Sequence, residues 1–276
     1  MHLDDDSPEW DQHSGGSGHD DPAWEPGDED RALLYWDALD ERGRDILRYL
    51  IRHRARKVHH TELVRELGLD PGGTKRSANV VAGSLYRASE GNKAAGRRYP
   101  FTWWEGEDGA SYAVKNGTAL IFGSALNAAQ VAKSPGETVA FTSPADGVWP
   151  LVQRLDAILD GGDVRMVLGS ACTTALKAVQ QFTAALQLPY AAAQGWTGFI
   201  EHLGARPASL RQCIVVADAC QMLKHEDHDV WRRLAEVLPS GPHHMGGGSS
   251  TLVLVDDETA WDEWVFRTVA DVRPRG

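Results

Sequence analysis

Apolar positions repeat with two different periods along the chain, and the change of period divides it. Between 41 and 53 they recur every three or four residues, with Ile46, Leu47, Leu50 and Ile51 on one stripe, the spacing of a helix that faces a core. This predicts helices over 29–40 and 41–53. A short helix follows over 61–68, with Thr61 as N-cap and Gly68 at its exit. A Pro-Gly-Gly turn at 70–74 leads to another helix from about 77 to 89. Residues 101–104 and 111–114 read as two strands around an acidic turn containing glycine, and 117–132 returns to helix. Beyond 137 the apolar residues gather into short runs at 138–142, 164–168, 212–217 and 250–255. Helices fill the gaps at about 147–160, 174–186, 194–203 and 228–238. Such runs suit a mostly parallel sheet covered on both faces.

The chain is therefore expected to be α/β, with an all-helix-and-hairpin domain at 29–133, a linker at 134–137 and a three-layer domain at 138–268. Residues 269–276 are expected to be a tail. Its 276 residues support two domains.

Charge refines this division. Residues 1–30 hold eleven Asp and Glu and no Lys or Arg. With no apolar period, 1–28 is expected to be a disordered acidic tail. Residues 31–133 hold 17 basic and 11 acidic side chains, whereas 134–276 hold 11 and 17. The basic excess of the first domain points to a nucleic-acid partner. Three short helices and a hairpin follow the order of a winged helix. If the third helix enters a groove, Lys75, Arg76, Ser77, Asn79 and Arg87 are placed to reach phosphates or bases. Lys93, Arg97 and Arg98 would add phosphate contacts. The bland alternative is a protein-docking winged helix with a solvated basic surface.

The segment 186–203 carries the most specific pattern of the second half. Leu188 and Pro189 end one helix, and Trp196, Phe199, Ile200 and Leu203 form the stripe of the next. With the strand and helix order over 164–257, this resembles the barstar family of ribonuclease inhibitors. The resemblance implies a barstar-like domain that binds a protein partner, with Tyr190, Gln194, Thr197, Glu201 and Asp218 at the interface. It departs from the family at Ala191, Ala192, Gly195 and Thr197, which removes aromatic and acidic anchors. The strand and helix at 138–160 resemble the extension that precedes many such domains. With the helix before Asp40-Glu-Arg-Gly-Arg44, the short second helix and the hairpin Pro100-Phe-Thr-Trp-Trp104…Ser111-Tyr112, residues 29–131 resemble an uncharacterised family of winged-helix-like domains from actinobacteria, a likeness that implies a fold and no activity.

Chemistry of other kinds has little support. No Gly-x-Ser-x-Gly elbow and no Gly-x4-Gly-Lys-Ser/Thr loop occurs. The glycines at 246–248 precede a strand, where a phosphate cradle does not sit. Cys213, Cys220, His225 and His228, and the pairs His59–His60 and His243–His244, lack the matched spacing of a zinc site. No enzyme, cofactor or metal is expected. Three cysteines, with no leader-like or membrane-length apolar segment, fit a reduced, cytoplasmic protein. The expected function is a non-enzymatic regulatory protein that joins a protein-binding domain to a DNA-binding one. The alternative is an antitoxin that inhibits a ribonuclease.

Overall fold

The computed structural model describes residues 2–13, 21–70, 72, 77–159, 163–206, 212–240, 250–267 and 274–275. The chain divides into two compact units, Met1–Leu126 and Asn127–Gly276.

In the first unit, α1 (Glu29–Ala38) and α2 (Glu41–Arg52) precede β1 (Val58–His59), α3 (His60–Leu67) and α4 (Ser77–Ser84). Then come α5 (Ala88–Ala95), β2 (Phe101–Trp104), β3 (Ser111–Val114) and α6 (Asn116–Ala132), which runs on into the second unit. Asp40 caps α2 through the Gly43 N–H at 2.8 Å. Gly68 ends α3 in the left-handed region at φ 58°. The helix predicted over 77–89 is instead two helices that break at Leu85–Arg87. The three strands pair antiparallel in the order β1-β3-β2. One sheet face meets the helical core of Tyr35, Ile46, Leu47, Leu50, Leu63, Val81 and Phe122.

The other face corrects the reading of residues 1–28 over their described part. Leu3 and Trp10 are buried against Ala55 and Ala113, with Trp104 packed beside them. The Leu3 N–H donates to the Ala55 carbonyl at 2.6 Å. The acidic side chains here have local partners: Asp5 accepts from the Asn116 N–H at 2.9 Å, Glu9 pairs with Lys57, and Asp28 pairs with Arg97. Trp24 packs on Phe122 with ring centroids 4.8 Å apart. Two isolated tryptophans and a leucine thus supply the burial that the acidic composition conceals.

In the second unit, β4 (Thr138–Thr142), α7 (Val148–Ile158), β5 (Asp163–Leu168), α8 (Ala175–Ala185) and α9 (Trp196–Gly204) alternate. They are followed by β6 (Gln212–Ala217), α10 (His228–Ser240), β7 (Ser250–Asp256), α11 (Glu258–Glu263) and β8 (Pro274–Arg275). All strand pairs are parallel, in the order β5-β6-β7-β4-β8. Alternate residues face two cores. Ile214, Val216, Leu252 and Leu254 meet Phe182 of α8, Phe199 of α9, and Trp231 and Leu234 of α10. Cys213, Val215, Val253 and Val255 meet Leu151 and Leu155 of α7 and the end of α6. Right-handed crossovers explain why α7 lies opposite the others: the chain leaves β4 in one direction and returns in the other.

Two expected boundaries move. Residues 134–137 are not a free linker, because the Gly136 N–H donates to Thr251 Oγ1 at 3.1 Å and the Leu252 N–H to the Glu137 carbonyl at 3.0 Å. Of the expected tail, Pro274 and Arg275 pair with β4.

Candidate functional site

The face of α4 and α5 is built by helical spacing. Val80, Val81 and Ser84 turn inward, while Asn79, Ala82 and Gly83 are exposed. The exposed row continues through Tyr86, Arg87, Glu90 and Lys93. Arg87 Nε donates to the Tyr86 hydroxyl at 2.8 Å, and its guanidinium lies 5.7 Å from that ring's centroid. Tyr86 is 61% exposed. Its signal in the sequence is a lone aromatic beside arginine in a stretch of small residues.

The residues predicted to meet nucleic acid fall in different surroundings. Asn79, Arg87 and Lys93 are exposed, whereas Lys75 and Arg76 lie outside the described residues. Ser77 instead shares a hydrogen bond of 2.8 Å with His60 Nδ1. Arg97 grips the buried Asp28 carboxylate through Nε at 2.6 Å and Nη2 at 2.8 Å. Burial pushes the Asp28 carboxyl up, but the hydrogen bonds from Arg97 and from the Glu25 N–H, with the charges of Arg97 and Arg31, hold it below the ordinary value. A guanidinium held in that way is a strut of the fold. Arg98 lines a cavity formed with the N-terminal segment.

His60, considered from the sequence as half of a metal pair, is a joint. Its Nε2 lies 2.9 Å from the Asp108 carbonyl in the β2–β3 turn. A carbonyl only accepts, so Nε2 carries a proton, and in the neutral ring Nδ1 accepts from the Ser77 hydroxyl. One buried ring therefore ties the start of α3 to the hairpin turn and to the first residue of α4. Its partners are 48 and 17 residues away in sequence, so spacing carried no sign of it. Among the described residues, no group of three or more His, Cys, Asp or Glu stands as a metal site.

In the second unit the reversal of winding falls between β4 and β7, where open α/β sheets hold ligands at the carboxyl ends of the strands. There the Ser143 N–H donates to the Asp256 carbonyl at 2.9 Å. The Asp256 carboxylate accepts from the Cys220 and Asp257 N–H groups, each at 2.9 Å. Asp218 accepts from the Ser170 hydroxyl at 2.9 Å. Residues 142–149, 218–220 and 256–257 contain no Lys or Arg. The carboxylates of Asp218 and Asp256 on this rim are already bonded to their neighbours.

Of the predicted partner-binding residues, Tyr190, Gln194, Thr197 and Glu201 are exposed on the turn Tyr190–Gln194 and on α9. Asp218 is exposed at the carboxyl end of β6. By then α8 has carried the chain back to the amino edge of the sheet, so Asp218 does not join the other four.

Residues 29–129 match the model of a family of unknown function, DUF6416. No curated protein matches the chain. Among solved structures, the chain is similar to the ORC2 protein of Aeropyrum pernix in its ADP form, at 13% identity and a TM-score of 0.42. That likeness covers 55% of this chain and 45% of the other. It is similar also to Cdc6p of Pyrobaculum aerophilum, at 16% identity and 0.36, over 50% and 38%. A third is Drosophila ORC bound to DNA, at 16% identity and 0.38, over 56% and 30%. The chain spans less than half the length of each. Scores of this size support no inference about function.

These findings overturn the barstar-like and winged-helix family readings, together with the functions built on them: neither the family model nor the solved structures named here point to either family. The sheet gives a physical reason for the barstar error. β4 is no extension to a smaller fold, because it lies between β7 and β8 with Val139, Ala140 and Phe141 buried. A Leu-Pro turn between two helices and the alternation of strand and helix recur wherever a parallel sheet is wound. What stands is an α/β chain with a parallel sheet, in which no described helix is long and apolar enough to cross a membrane.

Proposed function

We propose that the first unit binds nucleic-acid duplex, with the exposed side of α4 directed at it. The exposed face of α4 carries the reading. It offers one amide side chain, Asn79, near the small Ala82 and Gly83, and the exposed cations Arg87 and Lys93 follow in the chain. Small side chains allow close approach to a groove floor, an amide can read a base edge, and cations neutralise phosphate. The His60 joint supports the reading because it holds hairpin turn and helix start in fixed relation.

The test is a titration of the full chain with a fluorescent duplex at several salt concentrations. Binding should weaken steeply with salt, and Arg87→Glu with Lys93→Glu should lower the log–log slope by about 2. Affinity indifferent to salt, or a double variant that binds as the parent does, would reject the proposal.

A further inference from the structure

A cavity of about 320 Å³ lies between the N-terminal segment, the edge strand β2 and the start of α6. Its size is that of a small-molecule site. Trp10, Trp24, Tyr99 and Trp103 supply aromatic walls, and Arg98 and Lys115 supply cations. We infer that this cavity binds a small planar aromatic anion, a ring compound bearing a carboxylate or phosphate. The inference is independent of nucleic-acid binding.

Three features carry it. First, Trp24, Tyr99 and Trp103 are only partly buried, although each packs on the core from one side. Flat surface is thereby left for a ring to stack on. Second, no carboxylate among the described residues lies within ion-pair distance of Arg98 or Lys115, whereas neighbouring Arg97 is held by Asp28. The Lys115 ammonium stands 5.4 Å from the centre of the Trp10 ring. Third, neither carboxylate of the lining stands in an ion pair with these cations. Asp5 accepts from the Asn116 and Gly117 N–H groups at 2.9 and 3.2 Å, and Asp11 is exposed to solvent. The walls are also fixed: the Arg98 N–H donates to the Pro22 carbonyl at 3.1 Å, and Trp24 Nε1 donates to the Arg98 carbonyl at 2.8 Å. A site with aromatic walls and two cations that stand in no ion pair among the described residues suits an anion with a flat apolar body.

The experiment titrates the full chain with benzoate, indole-3-carboxylate and adenosine 5′-monophosphate, following tryptophan emission and ligand saturation-transfer NMR. Benzamide, indole-3-carboxamide and adenosine serve as neutral counterparts. At least one anion should saturate the signal and bind about tenfold or more tighter than its neutral counterpart, the effect of one charge-assisted hydrogen bond. Arg98→Gln should remove that preference while the melting temperature stays within a degree or two of the parent. Lys115→Gln provides a second variant should Arg98→Gln fold poorly. The inference falls if none of the three anions saturates, if neutral rings bind equally well, or if the preference survives in both variants.

Discussion

Gly109 occupies a position that only glycine fits. Its φ is +114°, and a Cβ there would lie 2.0 Å from His60 Nε2. Gly109→Ala therefore combines backbone strain of about 1–3 kcal/mol with displacement of the ring that joins hairpin and helix. The urea midpoint should fall by at least the strain alone, and His60→Ala in the same background should recover part of the loss. Asp28 makes a different prediction. Its carboxyl titrates lower in the folded chain than in the unfolded one. The ion pair's stabilisation is therefore complete above the unfolded value, about pH 4, and is lost as pH falls through the folded value. Asp28→Asn should cost about 2 kcal/mol at pH 7, and the gap to the parent should close as the pH is lowered towards 2. Urea midpoints of both proteins across that range check the sign. An equal gap at every pH would mean that the charge of Asp28 plays no part.

At the level of elements, the N-terminal segment is the piece whose role the sequence most concealed. Leu3 and Trp10 cover the second face of the hairpin, and Trp104 Nε1 donates to the Glu9 carbonyl at 2.9 Å. Deleting residues 1–13 should lower the stability of the first unit by on the order of 3 kcal/mol, the burial of two large apolar side chains less the chain entropy regained. Thermal melts of the full and shortened chains measure this, and an unchanged melt would mean that the segment does not stabilise the hairpin. The helices of this unit were legible because their stripes are regular. α5 was not, since Ala88, Gly91, Asn92 and Ala95 bury small side chains that carry no apolar period. Gly91 lies so close to Tyr35 that a Cβ would meet its ring at 2.8 Å. That close packing of α5 against α1 is a tertiary fact, outside the reach of local pattern.

For the whole molecule, the parallel character of the second sheet follows from the change of apolar period. All three cysteines, Cys172, Cys213 and Cys220, are buried in the second unit. Burial pushes the Cys172 and Cys213 thiols up to about 12. Burial pushes Cys220 up as well, with Asp256 adding to it. The native chain should therefore be unreactive towards a thiol reagent at pH 8, and all three should react together once the second unit unfolds. Labelling against denaturant, set beside the loss of tryptophan signal, reports that unit alone. A thiol that labels in native buffer would contradict the packing described. The candidate site was legible only in outline. Asn79, Arg87 and Lys93 can be read as an exposed set, but Ser77, Arg97 and Arg98 share the same residue types and have been drawn into a joint, a strut and a cavity wall.

The sequence by itself determined the location of most helices and strands and the α/β class. Those properties depend on neighbours within a few positions along the chain. Only the tertiary structure decided that β4 enters the middle of the sheet, that the acidic segment packs on the hairpin, and which cations remain without a carboxylate. Each of these depends on residues brought together across tens of positions, as Arg97 meets Asp28 across 69 and Trp104 meets Glu9 across 95. Burial and partner choice at that range are settled by packing, and a local pattern of residue types is the same whether an arginine finds its carboxylate or does not.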